Sequence, residues 1–132
     1  MEYTGTIFLI DDDAVVNYLH AKTLAKAGIV NTKAFERATD ALELFKQQPA
    51  DNTGIKNIIF LDLNMPGMDG WEFLDEFVKL PASVTGNYSV VIISSSIDPK
   101  DIGRSKEYNV PAFISKPLTT DKLMSLLAKL DG

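Results

Sequence analysis

Four short apolar runs in this chain each end on residues that can do chemistry. Ile58-Ile59-Phe60-Leu61 runs into Asp62, which opens Asp-Leu-Asn-Met-Pro-Gly-Met-Asp-Gly over 62–70. Ile7-Phe8-Leu9-Ile10 runs into Asp11-Asp12-Asp13, Val90-Val91-Ile92-Ile93 into Ser94-Ser95-Ser96, and Ala112-Phe113-Ile114-Ser115 into Lys116-Pro117. Runs of this length without polar alternation suit strands buried on both faces, as in a parallel sheet. Parallel strands deliver their carboxyl ends to one edge, where open α/β folds place their sites. The pattern therefore predicts a cluster of acids, a hydroxyl and an ammonium.

Amphipathic stretches alternate with these runs. After a first strand at about 6–10, residues Ala14–Ala27 read as a helix in which Val15, Leu19, Leu24 and Ala27 can share a face, with Gly28 as its stop. Val30–Phe35 is a second strand, and Thr39–Gln48 a helix with Ala41, Leu42, Leu44 and Phe45 inward and Pro49 at its end. A polar loop, Pro49–Lys56, precedes the third strand, Asn57–Leu61. A third helix follows Gly70, with Trp71, Leu74, Phe77 and Val78 at helical spacing. Pro81–Asn87 reads as a loop and Tyr88–Ile93 as the fourth strand. Asp98-Pro99 supplies a cap and a first-turn proline for a helix running to about Asn109. Ala112–Ser115 is the fifth strand, and Thr120–Leu130 a closing helix striped by Leu123, Leu126, Leu127 and Leu130. Five β units alternating with five α units imply a doubly wound parallel α/β sheet, with the first, third and fourth strands in its middle.

Composition excludes several classes of function. A chain of 132 residues, 45% apolar, suits a single domain over 1–132 with one adequate core. Its formal net charge of −5 argues against direct, sequence-independent nucleic-acid binding, which needs a cationic surface. The absence of cysteine removes disulfides and thiolate metal sites, and no apolar stretch is long enough to span a membrane. A cytoplasmic location is expected. Ending at Asp131-Gly132, the chain has no room for an output domain, so output is expected through a partner protein.

Asp11, Asp12 and Asp62, brought together, would repel one another unless a cation or a proton intervened. A hard divalent ion answers this, and magnesium suits so few carboxylates better than calcium does. With the negative field reduced, an aspartate becomes a credible nucleophile toward phosphorus. Lys116 and Ser94 then supply partners for the oxygens of a transferred phosphoryl group.

In these residues the chain resembles a response-regulator receiver domain across essentially its whole length. That family places an acidic pair after strand one, a phosphoacceptor aspartate and a Met-Pro-Gly loop after strand three, Ser or Thr after strand four, and Lys-Pro after strand five. The resemblance implies a flavodoxin-like (βα)5 fold of strand order 2-1-3-4-5, the order the chemotaxis member of the family is known for. It implies Mg2+ held directly by Asp12, Asp62 and the Asn64 carbonyl, with Asp11 acting through water. It implies Asp62 as phosphoacceptor, Lys116 and Ser94 as the groups that stabilise the phosphoryl group, and Ser94 with Phe113 as the switch pair. A cis Lys116–Pro117 bond belongs to the same pattern. The implied partners are a histidine kinase or histidine phosphotransfer protein upstream and a protein target downstream. The target is reached through the face formed by 98–109, 112–115 and 120–130, in a monomer or weak dimer. The chain would then catalyse its own phosphorylation and dephosphorylation without being a metabolic enzyme. Small residues at Ser95, Asn64 and Ser96 imply an open approach to Asp62 and modest self-hydrolysis.

Blander and rival readings stand beside this one. Asp13 reads best as a helix cap, His20 as an ordinary surface or boundary histidine, and the Trp71-Phe73-Leu74-Phe77 stripe as core packing. Residues 7–15 also resemble the nucleophile loop of haloacid-dehalogenase-type phosphatases, with Asp11 as nucleophile and Asp13 as acid. That alternative leaves the loop from Asp62 to Gly70 unexplained, and the chain lacks the length for that family's cap. A receiver-like binding module that is never phosphorylated is a third reading, against which the full set of chemical groups speaks.

Overall fold

A computed structural model describes residues 3, 5–47, 55–95 and 97–131. The expected helix stop at Gln48-Pro49, most of the Pro49–Lys56 loop and Ser96 lie outside the described residues. The apolar runs pair as β1 (Ile7–Ile10), β2 (Thr32–Phe35), β3 (Asn57–Leu61), β4 (Tyr88–Ser94) and β5 (Ala112–Ser115). All pairings are parallel, and the order is β2-β1-β3-β4-β5. The expected strand order is thus the observed one, with β1, β3 and β4 inside.

Strand alternation sends side chains to two separate cores. Phe8, Ile10, Ile59, Leu61, Val90 and Ile92 pack toward α2 (Ala38–Gln47) and α3 (Gly70–Phe77). Ile7, Leu9, Ile58, Phe60, Val91 and Ile93 pack toward α1 (Ala14–Lys26) and α6 (Thr120–Asp131). The first core is aromatic. Phe45 is fully buried, with ring centroids of Phe8 at 5.1 Å, Tyr88 at 4.9 Å and Phe77 at 5.8 Å. The stripe expected to be core packing is so: Trp71, Phe73, Leu74 and Phe77 are all buried.

Four local expectations are corrected. Pro81–Asn87 is not all loop, because Ala82–Thr85 forms a short helix, α4, whose Val84 is buried. β2 begins at Thr32 and leaves Val30 81% exposed, as an edge strand allows. Val78 is an exposed helix cap, and Phe73 takes the inward place. In α1 the inward face is Asn17, His20 and Leu24, while Val15 and Leu19 are more than half exposed. The polar inward face has a reason: the Asn17 amide donates to the Asp11 carbonyl at 3.0 Å and the Phe35 carbonyl at 3.4 Å, at the ends of β1 and β2.

Helix ends are set by local chemistry. Asp13 caps α1, its carboxylate accepting from the Val15 and Val16 N–H groups. The helix ends in a Schellman motif, with Gly28 N–H on the Ala25 carbonyl and Ile29 N–H on the Leu24 carbonyl, and Gly28 at φ +87°. α5 (Pro99–Glu107) starts from the Asp98 cap with proline in its first turn. It is tied to α3 by Arg104 over the Trp71 ring at 4.5 Å and by the Tyr108 hydroxyl donating to Asp75.

Candidate functional site

The parallel ladder continues one residue past three of the strands, and this places the chemistry. Asp11 N–H donates to Phe35 O, Asp62 N–H to Ile10 O, and Lys116 N–H to Ser94 O. The backbones of Asp11, Asp62, Ser94 and Lys116 are thereby locked in neighbouring positions at the carboxyl edge of β1, β3, β4 and β5. Asp11, Asp62 and Ser94 are buried, whereas Asp12 and Asn64 are exposed at the mouth.

One carboxylate oxygen from each of Asp11, Asp12 and Asp62 lies within 4.8 Å of the other two. The Lys116 ammonium donates to Asp11 Oδ2 at 2.6 Å and lies 3.3 Å from Asp62 Oδ1. Asp11 Oδ1 also accepts from the Asp13 N–H, and Asp62 Oδ1 weakly from the Asn64 N–H. Burial and then the neighbouring Asp11 charge push the Asp62 carboxyl above its usual pKa, against the pull of Lys116 and the Asn64 N–H. Burial also works against the Lys116 charge, yet Asp11 and Asp62 together outweigh it and raise the ammonium's pKa. Three carboxylates facing one ammonium leave a formal excess of two negative charges. Oxygen donors alone, partly open to solvent, are the set a hard divalent cation takes.

The loop after β3 folds back on Asp62 because residue 70 is glycine. A Cβ there would lie 2.7 Å from the Asp62 carbonyl and 2.8 Å from Leu63 Cα, both backbone atoms. Gly70 N–H closes the loop by donating to Leu63 O. Asp69 then caps α3 in a capping box with Glu72, each side chain accepting from the other's N–H. The Asp-x-x-Glu spacing of Asp69 and Glu72 carried that signal in the sequence. Phe113 is half-buried on β5, beside Ile92 of β4, and packs against the aromatic core. The Lys116–Pro117 peptide is cis.

Three polar residues around the site escape sequence reasoning. Besides Asn17, His20 is only 4% exposed, neither surface nor boundary, and its Nε2 accepts from the Leu118 N–H. Lys122 donates to the Ser115 carbonyl and hydroxyl and to the Pro117 carbonyl. The three-residue step from Asn17 to His20 marked a polar helical face, but only the folded chain reveals what it meets.

The chain belongs to the response regulator receiver domain family, whose model matches residues 7–128. It is similar to the solved structure of a two-component response regulator from Cytophaga hutchinsonii, with a TM-score of 0.85 and 28% identity, covering 99% of this chain and 100% of that one. The two-component response regulator ORR6 of Oryza sativa is 31% identical over 124 residues, 94% of this chain and 69% of that protein. The sensory/regulatory protein RpfC of Xanthomonas campestris is 26% identical over 92% of this chain, which spans only 16% of RpfC. The class so defined is a receiver domain of two-component systems, a signalling switch. Among the described residues, no helix is long and apolar enough to cross a membrane.

Proposed function

We propose that this chain is a phosphorylation switch in which Asp62 accepts a phosphoryl group from a histidine kinase or histidine phosphotransfer protein in the cytoplasm. The observation that carries this reading is the Lys116 ammonium bridging two buried aspartates within a three-carboxylate cluster. In the transfer, an Asp62 carboxylate oxygen attacks phosphorus. The O–P bond forms, the P–N bond of phosphohistidine breaks, and the imidazole departs with the electron pair. Lys116 holds a phosphoryl oxygen by charge, and Ser94 supplies a hydroxyl to another. The residues that would hold Mg2+ are Asp12, Asp62 and the Asn64 carbonyl, with Asp11 through water. Such an ion supplies neutralisation of the phosphoryl charge.

The haloacid-dehalogenase alternative needs Asp13 as a free acid, whereas its carboxylate is engaged as the α1 cap. Output through α5, β5 and α6 is supported by a groove of about 440 Å³ there, lined by Ile97, Phe113, Lys122 and Leu126 among others. Phe113 both lines that groove and packs on the core, so an inward swing following Ser94 would reshape it. Moving the switch from about 1:99 to 99:1 takes roughly 5.5 kcal/mol of differential contact, within reach of several charge-assisted bonds.

The test is mass spectrometry after incubation with Mg2+ and acetyl phosphate, on the wild type, Asp62→Asn and Asp11→Asn. One labile phosphoryl group on the Asp62 peptide, absent in Asp62→Asn, is expected. Phosphate on Asp11, or turnover surviving Asp62→Asn, favours a phosphatase, and no modification favours the binding module.

A further inference from the structure

Lys116 leaves the sheet immediately after its own N–H has bonded to Ser94 O, so the ladder does not hold the residues beyond it. Pro117 has no N–H to offer, and the next donor in the chain is Leu118. That buried N–H finds His20 Nε2 at 3.3 Å, and His20 sits on α1, 98 residues earlier. Because Nε2 accepts, the imidazole is neutral with its proton on Nδ1. The carbonyls on either side of Lys116 are held from the other direction. Lys122, on the first turn of α6, donates to Ser115 O at 2.8 Å and Pro117 O at 3.1 Å, and to Ser115 Oγ at 3.1 Å. An ammonium has three N–H donors, and all three are spent here on the residues flanking Lys116.

From this geometry we infer that His20 and Lys122 form a two-sided clamp on residues 115–118 and are positioning residues for the Lys116 ammonium, an inference that rests on the phosphoacceptor reading above. Lys122 bonds to the residues on either side of Lys116 and His20 to Leu118, two residues on, and both act through the backbone that carries Lys116. An inward position on a sheet-covering helix is ordinarily apolar. A histidine there is explained by the one thing an apolar residue lacks, an acceptor for a buried N–H. Lys122 replaces missing strand pairing in the same way, by supplying donors to carbonyls that no neighbouring strand reaches.

The rate of Asp62 phosphorylation by acetyl phosphate at saturating Mg2+ tests the clamp in the 132-residue chain. His20→Leu, which removes the acceptor at similar bulk, is expected to slow the reaction about ten-fold, short of the ~100-fold a badly misplaced group can cost. His20→Gln, whose Oε1 can accept in place of Nε2, should recover the rate to within about two-fold. Lys122→Met, keeping the stem without the donors, should slow it like His20→Leu. Mg2+ affinity should not fall in any of the three variants, since every carboxylate is kept and a displaced Lys116 ammonium competes less with the ion. Hydrogen exchange at the Leu118 amide should accelerate in His20→Leu and not in His20→Gln. Wild-type rates in both His20→Leu and Lys122→Met overturn the clamp, as does His20→Gln slowing as much as His20→Leu, which marks a packing role alone. If the wild type itself takes no phosphoryl group, the phosphoacceptor reading fails. The Leu118 exchange then decides separately whether His20 holds the loop, unchanged protection in His20→Leu overturning it.

Discussion

Replacing Lys116 by methionine keeps the reach of the side chain and removes the ammonium that faces Asp11 at 2.6 Å and Asp62 at 3.3 Å. The three side chains are 17%, 5% and 5% exposed, so the charges interact through a largely protein medium. At an effective dielectric constant of about 20 the two attractions are about 6 and about 5 kcal/mol before desolvation is subtracted. Removing one partner of a buried ion pair costs about 3–5 kcal/mol, and the partial hydration of Lys116 points to the lower end, about 3 kcal/mol. For 132 residues the unfolding entropy is about 0.28 kcal/mol/K, so this loss lowers Tm by about 11 °C. Thermal unfolding in EDTA at neutral pH and low salt measures it. In an Asp62→Asn background the same replacement should cost at least about 1 kcal/mol less, since one of the two charges facing the ammonium is gone. Magnesium binding, by calorimetry, should tighten at least ten-fold in Lys116→Met, or about 1.4 kcal/mol, because no competing cation sits among the carboxylates. Melting within about 2 °C of wild type, or an equal loss in both backgrounds, would refute the view that charge holds this cluster together.

Asp62→Asn should stabilise the metal-free protein. The folded-state pKa of Asp62 is raised, so the wild type loses stability as pH climbs from 3.8 through the folded value, and the asparagine variant does not. Denaturant unfolding in EDTA should therefore show a gap that opens with pH, and a gap independent of pH contradicts the buried charge. For His20, burial lowers the folded pKa below 6.5 against the opposing Asp11 charge, with a smaller lowering contribution from Lys116. Its contribution is complete above pH 6.5 and lost as pH falls through the folded value, so the wild type should lose ground to His20→Gln between pH 7.5 and about 5 by urea unfolding. Gly70→Ala drives a Cβ into the Asp62 and Leu63 backbone and should cost about 1–3 kcal/mol in denaturant unfolding, with slower phosphorylation, whereas wild-type stability would mean the loop yields freely. Phe45→Ala, at the centre of the aromatic cluster, should cost about 3–5 kcal/mol by the same measurement, and less than about 1.5 kcal/mol would show that the core collapses into the space.

The central place of β1, β3 and β4 and the meeting of Asp11, Asp12, Asp62 and Lys116 at one edge were legible in the apolar runs, while the full strand order came from the family resemblance. Uninterrupted apolar runs alternating with amphipathic stretches suit parallel strands buried on both faces, and each run ends on its polar group. The caps at Asp13 and Asp98 were equally legible, because a cap is a contact between residues two or three apart. What the sequence could not determine by itself depended on long-range packing. Val15 and Leu19 look like a buried stripe in α1, yet this helix faces the Asp11 and Phe35 carbonyls and the Leu118 N–H, and so Asn17 and His20 turn inward. Val78 shares the helical spacing of Trp71, Leu74 and Phe77, yet α3 ends at Phe77 and leaves Val78 as its exposed cap. Whether a histidine 98 residues away would hold the Leu118 N–H, or Lys122 the carbonyls beside Lys116, is a matter of helix placement on the sheet. Periodicity reports which residues avoid water, and only the tertiary structure decides which buried polar groups find each other.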